Sequence, residues 1–229
     1  MKLLALDTST DACSVALVAG EQTELRHVVE ARAHTRLLMP MIQELLAEGG
    51  FQATALDAVV LGNGPGSFIG VRIAASVAQG LAFAADVPMV TVSSLEVIAA
   101  EAFATSDLDQ VVVTQDARMD EVYLADFHRN SDDLPQPSGE TVLHRATEPV
   151  PVTARAGGVG LAGGGHHRYP SLADRFVDPP QLLDELRFPR ADYLLRCGAP
   201  RVVAGETTAP EDLTPAYVRS KVASVPGSR

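Results

Sequence analysis

The sequence has no tryptophan, and aromatic residues make up only 5% of its 229 residues. Proteins that bind single-stranded nucleic acid unaided stack bases on aromatic side chains, so this composition offers little material for such a surface. Basic residues are also few, with 18 Lys and Arg against 29 Asp and Glu and a formal net charge of -11. The net negative charge of the chain therefore repels a phosphate backbone. If the chain acts on nucleic acid, another protein must bring the two together.

Cysteines and long apolar runs are scarce as well. Cys13 and Cys197 are the two cysteines, too few for a disulfide framework or a Cys-x-x-Cys metal site, and we interpret both as reduced thiols. No run approaches the roughly 20 apolar residues of a membrane-spanning helix. The first apolar run ends at Asp7, too early for a signal peptide, so residues 1–7 are predicted to be a buried strand. We expect a soluble, cytoplasmic protein without membrane contact.

Hydrophobic periodicity predicts a mixed α/β sheet with helical cover in the first half of the chain. The predicted strands are residues 3–7, 13–18, 23–30, 58–61 and 88–92, and the predicted helices are 34–48, 71–85 and 93–104. The first three strands form an antiparallel meander, whereas the later strands are joined through helices. Residues 130–151 are polar and rich in proline, which favours a surface loop.

The pattern restarts after residue 106. Asp7 aligns with Asp116 and Asp11 with Asp120 at one constant offset, with apolar runs before and after in both places. This alignment indicates a duplicated unit, although two unrelated hairpins with Asp turns would look the same. We predict an N-terminal lobe of residues 1–105 that carries partner-binding helices, and a C-terminal lobe of residues 106–229, a degenerate second repeat plus a tail.

A glycine-rich segment, GNGPGS, occupies residues 62–67 between a predicted strand and a predicted helix. Two interpretations are open: backbone N–H groups that hold an anion at a helix N-terminus, or a tight structural turn with Ser67 as the helix cap. The spacing matches neither a Walker A loop nor a dinucleotide-binding fingerprint.

Five motifs occur in order within the first 127 residues. They are MKLLALDTST with ACSVAL, HTRLLMPMIQ, GNGPGSFIGVRIA, AQGLAFAADVPMVTVSSLE, and DARMDEVY. Together they resemble the TsaB (YeaZ) family, apart from Ile69, where that family usually has Thr. The resemblance implies an actin/hexokinase-like (ASKHA) fold of two related lobes, each a mixed sheet with helices. It also implies a non-catalytic subunit for N6-threonylcarbamoyladenosine synthesis on the tRNA adenosine beside the anticodon.

The partners that the resemblance implies are the catalytic paralogue TsaD, as a heterodimer, and the ATPase TsaE. A homodimer is expected when the chain is alone, and tRNA is reached only through the complex. The His-x-Glu-x-His metal motif of TsaD falls on residues 94–98, where Ser94 and Ile98 replace both histidines. Its Ser-Gly-Gly-His phosphate turn falls on residues 115–118, where Asp116 would repel a phosphate. We therefore expect no catalytic, cofactor-binding or metal-binding residues.

Other polar residues have ordinary explanations. His34 is interpreted as a capping or surface histidine, because its neighbour one turn on is Leu38. His166 and His167 follow three glycines that could cradle an adenine ring, but a flexible turn explains them as well. Two alternative functions stay open: an ATP-dependent small-molecule kinase of the same fold, and a glycoprotease-like peptidase.

The helix predicted over residues 71–85 has two apolar sectors, one bulky and one of alanines. We assign the bulky sector to the core and the alanine sector to the partner, because this family dimerises through a bundle of this helix and helix 34–48. The predicted interface residues are Leu37, Met41, Ala74, Ala75, Ala78, Ala82 and Ala85. On this assignment, Ala78→Glu blocks association and leaves the monomer folded. The alternative is that the alanine face packs inside the chain itself.

Overall fold

Two sheets of similar design organise the chain, of which the computed structural model describes residues 1–216. The strands are β1 (Lys2–Asp7), β2 (Ala12–Ala19), β3 (Gln22–Val29), β4 (Ala58–Gly62), β5 (Met89–Val92), β6 (Gln110–Arg118), β7 (Glu121–Arg129), β8 (Pro135–Pro137), β9 (Val142–Arg145), β10 (Gly160–Ala162) and β11 (Gln181–Leu182). The helices are α1 (His34–Glu48), α2 (Phe68–Ala85), α3 (Ser94–Thr105), α4 (Gly164–Arg168) and α5 (Ala191–Ala204).

The strand order confirms the duplication. The first sheet runs β3-β2-β1-β4-β5, and the second runs β8-β7-β6-β10-β11. In each sheet the opening strand pairs antiparallel with the strand that follows it and parallel with the strand on its other side. Since order and direction agree strand by strand, the two lobes are repeats of one unit, as the actin/hexokinase-like fold requires.

Helices cover both faces of the first sheet. On one face, α1 and α2 pack against β1, β2 and β4, and on the other face lie α3 and α5. Helix α3 also packs against β6, β7 and β10 of the second sheet, so it lies between the two sheets. Ten of its twelve residues are buried, which explains why its sequence is apolar all round and not on one stripe.

The predicted lobe boundary needs a correction at the C-terminus. Helix α5 follows the second sheet in sequence, yet Leu194, Leu195 and Cys197 pack with Leu3 and Val60 of the first sheet. Leu213 likewise joins the cluster between the first sheet and α1 and α2. Residues 191–213 therefore complete the N-terminal lobe, and the tail beyond residue 216 lies outside the described residues.

Three predicted element boundaries also change. Helix α2 begins at Phe68, three residues earlier than predicted, because Ser67 caps it. Strand β6 does not end at Asp116, where the apolar run before that residue predicts its end, but continues through a bulge to Arg118. The loop predicted over residues 130–151 contains β8 and β9, which both pair with β7.

We expect Gly198→Ala to destabilise the chain, because α5 lies directly on β4. A Cβ atom at Gly198 would lie 2.4 Å from Val60 Cγ1, so the helix must shift away from the sheet. Overpacking of this kind costs about 1–3 kcal/mol of unfolding free energy, more than the roughly 1 kcal/mol that alanine gains over glycine in a helix. Urea denaturation followed by circular dichroism measures the change. Val203→Ala, on the exposed side of the same helix, is the control and should stay within about 0.5 kcal/mol of the wild type.

Candidate functional site

The glycine-rich loop places the start of α2 in direct contact with the turn between β1 and β2. A Cβ atom on Gly66 would lie 2.1 Å from the carbonyl oxygen of Ser9, and one on Gly70 would lie 2.0 Å from that of Thr8. The Thr8 hydroxyl donates to the carbonyl of Gly70 at 2.7 Å. Glycine is thus required here because two backbones touch, which leaves no room for a side chain.

Two backbone N–H groups that could hold an anion at this helix start are already bonded within the protein. Ser67 N–H donates to the carbonyl of Ser9 at 2.6 Å. Gly70 N–H donates to the side-chain oxygen of Ser67 at 3.3 Å, which confirms Ser67 as the helix cap. Of the two interpretations of this loop, the geometry favours the structural turn over a phosphate site.

Asp7 lies buried beside this loop at the end of β1. Its carboxylate accepts from the backbone N–H of Ser9 at 2.7 Å and from the hydroxyl of Ser94 at 2.6 Å. Gly62 makes room for it, since a Cβ there would lie 2.0 Å from an Asp7 carboxylate oxygen. Burial raises the pKa of Asp7 to about 6, although the hydrogen bonds from Ser94 and Ser9 oppose the shift.

The position of the lost metal motif is filled by packing and an ion pair. Ser94 is fully buried against Asp7, and Ile98 is fully buried in the core between α3 and the second sheet. Glu96 is the residue of the motif that this chain keeps, and it accepts a hydrogen bond from the Arg201 guanidinium of α5 at 2.6 Å. Burial raises the pKa of Glu96, and the Arg201 charge opposes that shift. Glu96 thus links α3 to α5.

The β6–β7 turn, which corresponds to the β1–β2 turn of the first repeat, is also held by contacts within the chain. Asp116 accepts from the backbone N–H of Arg118 at 2.8 Å and pairs with the Arg118 guanidinium at 3.1 Å. Gly163 and Gly165 are explained by contact as well, because a Cβ atom on either would collide with Thr114 of β6. Gly163 and Gly165 therefore pack closely against β6 and do not form the flexible turn that the sequence suggested.

A cleft of about 760 Å³ lies between the two lobes. Its walls are the β1–β2 turn, the start of α2, the β6–β7 turn and α4. The charged side chains on these walls are Asp11, Asp116, Arg118, Arg168 and Arg187. Asp7 does not reach the cleft wall, so Asp7, Asp11 and Asp116 do not form the carboxylate cluster that metal-assisted hydrolysis would need.

The histidines differ from their predicted roles. His34 is 7% exposed, and its Nδ1 atom has no hydrogen-bond partner among the described residues, so it is neither a cap nor a surface residue. His166 is buried in α4, where its Nε2 atom lies 3.2 Å from the Asp184 carboxylate. Burial lowers the pKa of His166, and the hydrogen bond that its ring donates to the Asp184 carboxylate opposes that shift. Asp184 lies 18 residues away, and no local pattern marks it.

The predicted interface needs a larger correction. The side chains of Ala74, Ala75, Ala78 and Ala82 are at most 2% exposed, and they pack inside the chain with Met41 of α1. A partner cannot contact them. These alanines are internal because α2 packs so close to the first sheet that only small side chains fit between them. Leu37 and Ala85 are half-buried, and their contact with a partner stays a prediction.

The bulky sector assigned to the core from sequence, Ile73, Val77 and Leu81, is partly buried and packs against the cluster between the first sheet and helices α1 and α2. The side of α2 turned away from the sheet is largely apolar as well. We call it the α2 outer face, and it consists of Ile69, Ile73, Ser76, Val77, Gly80, Phe83 and Ala84. Ile69 and Phe83 are 68% and 75% exposed, while Ile73 and Val77 are partly buried. Gly80 has no atom within 4 Å of its added Cβ. The signal that could have identified this face is Ser76 with Gly80, since a polar residue and a glycine rarely share a core stripe.

Helix α2 also has the length and apolar composition of a membrane-spanning helix, the one such candidate among the described residues. The two apolar faces account for this composition. One face packs on the first sheet and the other is the α2 outer face, so the helix has an apolar surface on both sides.

The fold defines a two-lobed protein of the actin/hexokinase-like class, with a cleft between its lobes. The family model described as "TsaD: tRNA N6-adenosine threonylcarbamoyltransferase" matches residues 28–150. The protein "tRNA threonylcarbamoyladenosine biosynthesis protein TsaB" of Escherichia coli is 35% identical over 97% of this chain and 96% of its own length. The chain belongs to the TsaB family.

Other relatives agree with this assignment. The protein of the same name from Haemophilus influenzae is 48% identical over 56% of this chain and 55% of its own length. The solved structure "YeaZ from Pseudomonas aeruginosa" superposes with a TM-score of 0.87 at 37% identity, over 94% of this chain and 99% of that one. A second solved structure with the same TM-score and identity is described as "an uncharacterized protein with similarity to peptidase YEAZ from Pseudomonas aeruginosa"; it covers 95% of this chain and 99% of its own.

We expect Asp7→Asn to flatten the pH dependence of stability. Asp7 ionises at about pH 6 when folded and near 3.8 when unfolded, so between these values the folded state holds one more proton. The free energy of unfolding therefore falls as pH rises through this window, by about 3 kcal/mol from this group. Asparagine stays neutral and can still bond Ser9 N–H and the Ser94 hydroxyl.

Urea denaturation at pH 4.5 and pH 7.5 tests this expectation. The difference between the two pH values should shrink in Asp7→Asn relative to the wild type. Asp11→Asn, which removes a carboxylate from the exposed part of the same turn, controls for the loss of one negative charge. An Asp7→Asn variant with the wild-type pH dependence would mean that Asp7 is ionised throughout.

Proposed function

We propose that this chain is the non-catalytic subunit in tRNA threonylcarbamoyladenosine biosynthesis and that it activates a catalytic paralogue of the TsaD type. The name of the E. coli relative, which aligns over almost the whole chain, supports the pathway. The observation that carries the proposal is the combination of a filled catalytic position with an exposed apolar helix face. Ser94 and Ile98 bury the place of the metal ligands, and the α2 outer face offers contact with another protein.

The α2 outer face has the composition of a protein-binding surface. It carries no charged residue, and its apolar side chains alternate with Ser76 and Gly80. A small residue between larger ones lets a second helix approach closely, and apolar area this exposed is typical of an interaction site. Leu37, Met39 and Pro40 of α1 are half-buried or exposed and can extend the surface. The proposed interface therefore keeps the two predicted helices and replaces the alanines by the residues on the opposite side of α2.

The same surface accounts for two states of assembly. With the paralogue present, a heterodimer covers the α2 outer face. Without it, a second copy of this chain covers the face as a homodimer, because apolar helix faces with small residues are readily self-complementary. The ATPase TsaE joins the heterodimer, and the whole assembly works in the cytoplasm, where tRNA is found.

Contact with tRNA belongs to the complex and not to this chain. A formal net charge of -11 opposes binding to a phosphate backbone, which depends on neutralisation by Lys and Arg. The arginines of the interlobe cleft do not form a positive surface, because Asp11 and Asp116 lie among them.

The two alternative functions lack a suitable site among residues 1–216. A kinase of this fold needs phosphate turns with available N–H groups, but the amides of Ser67 and Gly70 are bonded internally. A peptidase needs a reachable nucleophile. Ser14 lies 3.1 Å from His27 Nδ1, but it is fully buried and accepts from the backbone N–H of Ala191, so this pair is structural.

We expect Gly80→Glu to block association with the paralogue while the chain stays folded. The new side chain meets no atom of its own monomer, and glutamate forms helix better than glycine. In the complex it would place an unpaired charge in an apolar interface, which should weaken the affinity at least about tenfold. Isothermal titration with the TsaD paralogue of the same genome measures the affinity.

Two matched variants make this test specific. Val203→Glu adds the same charge on the exposed side of α5 and should bind as the wild type does. Ala78→Glu puts the charge into the core and should unfold the chain, contrary to the expectation from sequence. If Gly80→Glu folds and binds normally, the partner contacts another surface.

A separate expectation concerns ATP. The purified chain should give no binding heat with Mg-ATP and no hydrolysis, because the two helix-start amides are occupied. Addition of the paralogue and TsaE should restore modification of unmodified tRNA. Saturable ATP binding by the chain alone would favour the kinase alternative.

A further inference from the structure

Three potential metal ligands meet at the edge of the second lobe, away from the position of the lost metal motif. His166 and His167 lie at the end of α4, and Asp184 follows β11. The ligand atoms of all three side chains lie within 4.8 Å of one another. Neighbouring residues on a helix normally point apart by about 100°, yet the two imidazole rings are 4.2 Å apart and both reach Asp184. This convergence is unusual for two consecutive residues, and a shared ligand would account for it.

The distances suit a tetrahedral ion. His166 Nε2 lies 3.2 Å, and His167 Nε2 lies 3.7 Å, from the Oδ1 atom of Asp184. Ligands bound to tetrahedral Zn²⁺ at 2.0–2.2 Å are about 3.3–3.5 Å from one another. We propose that His166, His167 and Asp184 form a Zn²⁺ site, with a water molecule or another ligand in the fourth position.

The chemistry of the three groups matches this class of ion. Two imidazoles and one carboxylate are typical ligands of Zn²⁺, and they also accept Co²⁺ or Ni²⁺, whereas Ca²⁺ and Mg²⁺ prefer oxygen alone. His166 is buried, but Asp184 is 61% exposed at its side chain, so an ion can enter from solvent on that side.

Arg187 is the competitor for this site. Its guanidinium donates to His167 Nδ1, so in this arrangement the ring proton is on Nε2, which donates to the carbonyl of Asp184 at 3.0 Å. A metal on Nε2 requires the proton on Nδ1, where Arg187 could no longer donate. Arg187 is exposed and can turn away. Arg187 also lines the interlobe cleft. Metal binding would therefore free the Arg187 guanidinium from His167 and leave its positive charge in that cleft.

Titration of the untagged protein with Zn²⁺, in competition with a chromophoric chelator, tests the site. We expect one ion per chain. Asp184→Asn and His167→Ala alter side chains outside the core and should weaken binding by about 10–100-fold or more, at least as much as loss of a supporting hydrogen bond does at other zinc sites. Arg187→Gln should strengthen binding, because it removes the competing donor and a positive charge. His128→Ala, a histidine in β7 outside the cluster, is the control and should leave the affinity unchanged.

Co²⁺ provides a second measurement that does not depend on activity. The wild type should show the strong visible absorption of a tetrahedral Co²⁺ site, and Asp184→Asn should lose it while its circular dichroism stays native. Binding of Zn²⁺ that neither Asp184→Asn nor His167→Ala weakens would overturn the proposal, as would a wild type that binds no ion. Failure of this site would leave the proposed function intact, since association with the paralogue is measured separately.

Discussion

The packing of the N-terminal lobe depends on the contact between the start of α2 and the β1–β2 turn. Gly66 and Gly70 let two backbones touch, which places the helix so close to the sheet that only alanines fit beneath it. Large apolar side chains are then left on the outside of the helix. The Ser67 amide is bonded to Ser9 in this contact, and the Gly70 amide is bonded to the Ser67 side chain. One steric constraint thus occupies an amide at the helix start and leaves an exposed apolar face on α2.

Local patterns in the sequence were sufficient for most of the fold. The meander, α1 and the alternation of strands and helices follow from periodicity, and the Asp7–Asp116 alignment led to the duplication that the strand order confirms. The return of α5 to the first sheet was not predictable, because it depends on a contact between Gly198 and Val60 that no local pattern records. The alanine side of α2 was assigned to a partner but packs inside the chain, since a helical wheel shows two apolar sectors but not their distances from the sheet.

The sequence alone shows which residues stand at the positions of the TsaD metal motif. Replacement of both metal histidines by Ser94 and Ile98 is visible in the sequence, and their burial agrees with it. What Ser94 does instead, as hydrogen-bond donor to a buried Asp7, requires the fold. The cluster of His166 with Asp184 also depends on tertiary structure, because β11 pairs in parallel with β10 and so brings a distant carboxylate to α4.

The position of α5 also constrains how the chain is made. Synthesis proceeds from the N-terminus, and domains generally fold as their residues leave the ribosome. Here all strands of the first sheet have been synthesised once β5 has emerged. Helix α5, which helps to cover one face of that sheet, follows about a hundred residues later in sequence. During that interval apolar strands face solvent or the unfinished second lobe. The N-terminal lobe therefore reaches its final packing only after residues 191–204 have been translated, and a truncated product that lacks α5 is exposed to aggregation.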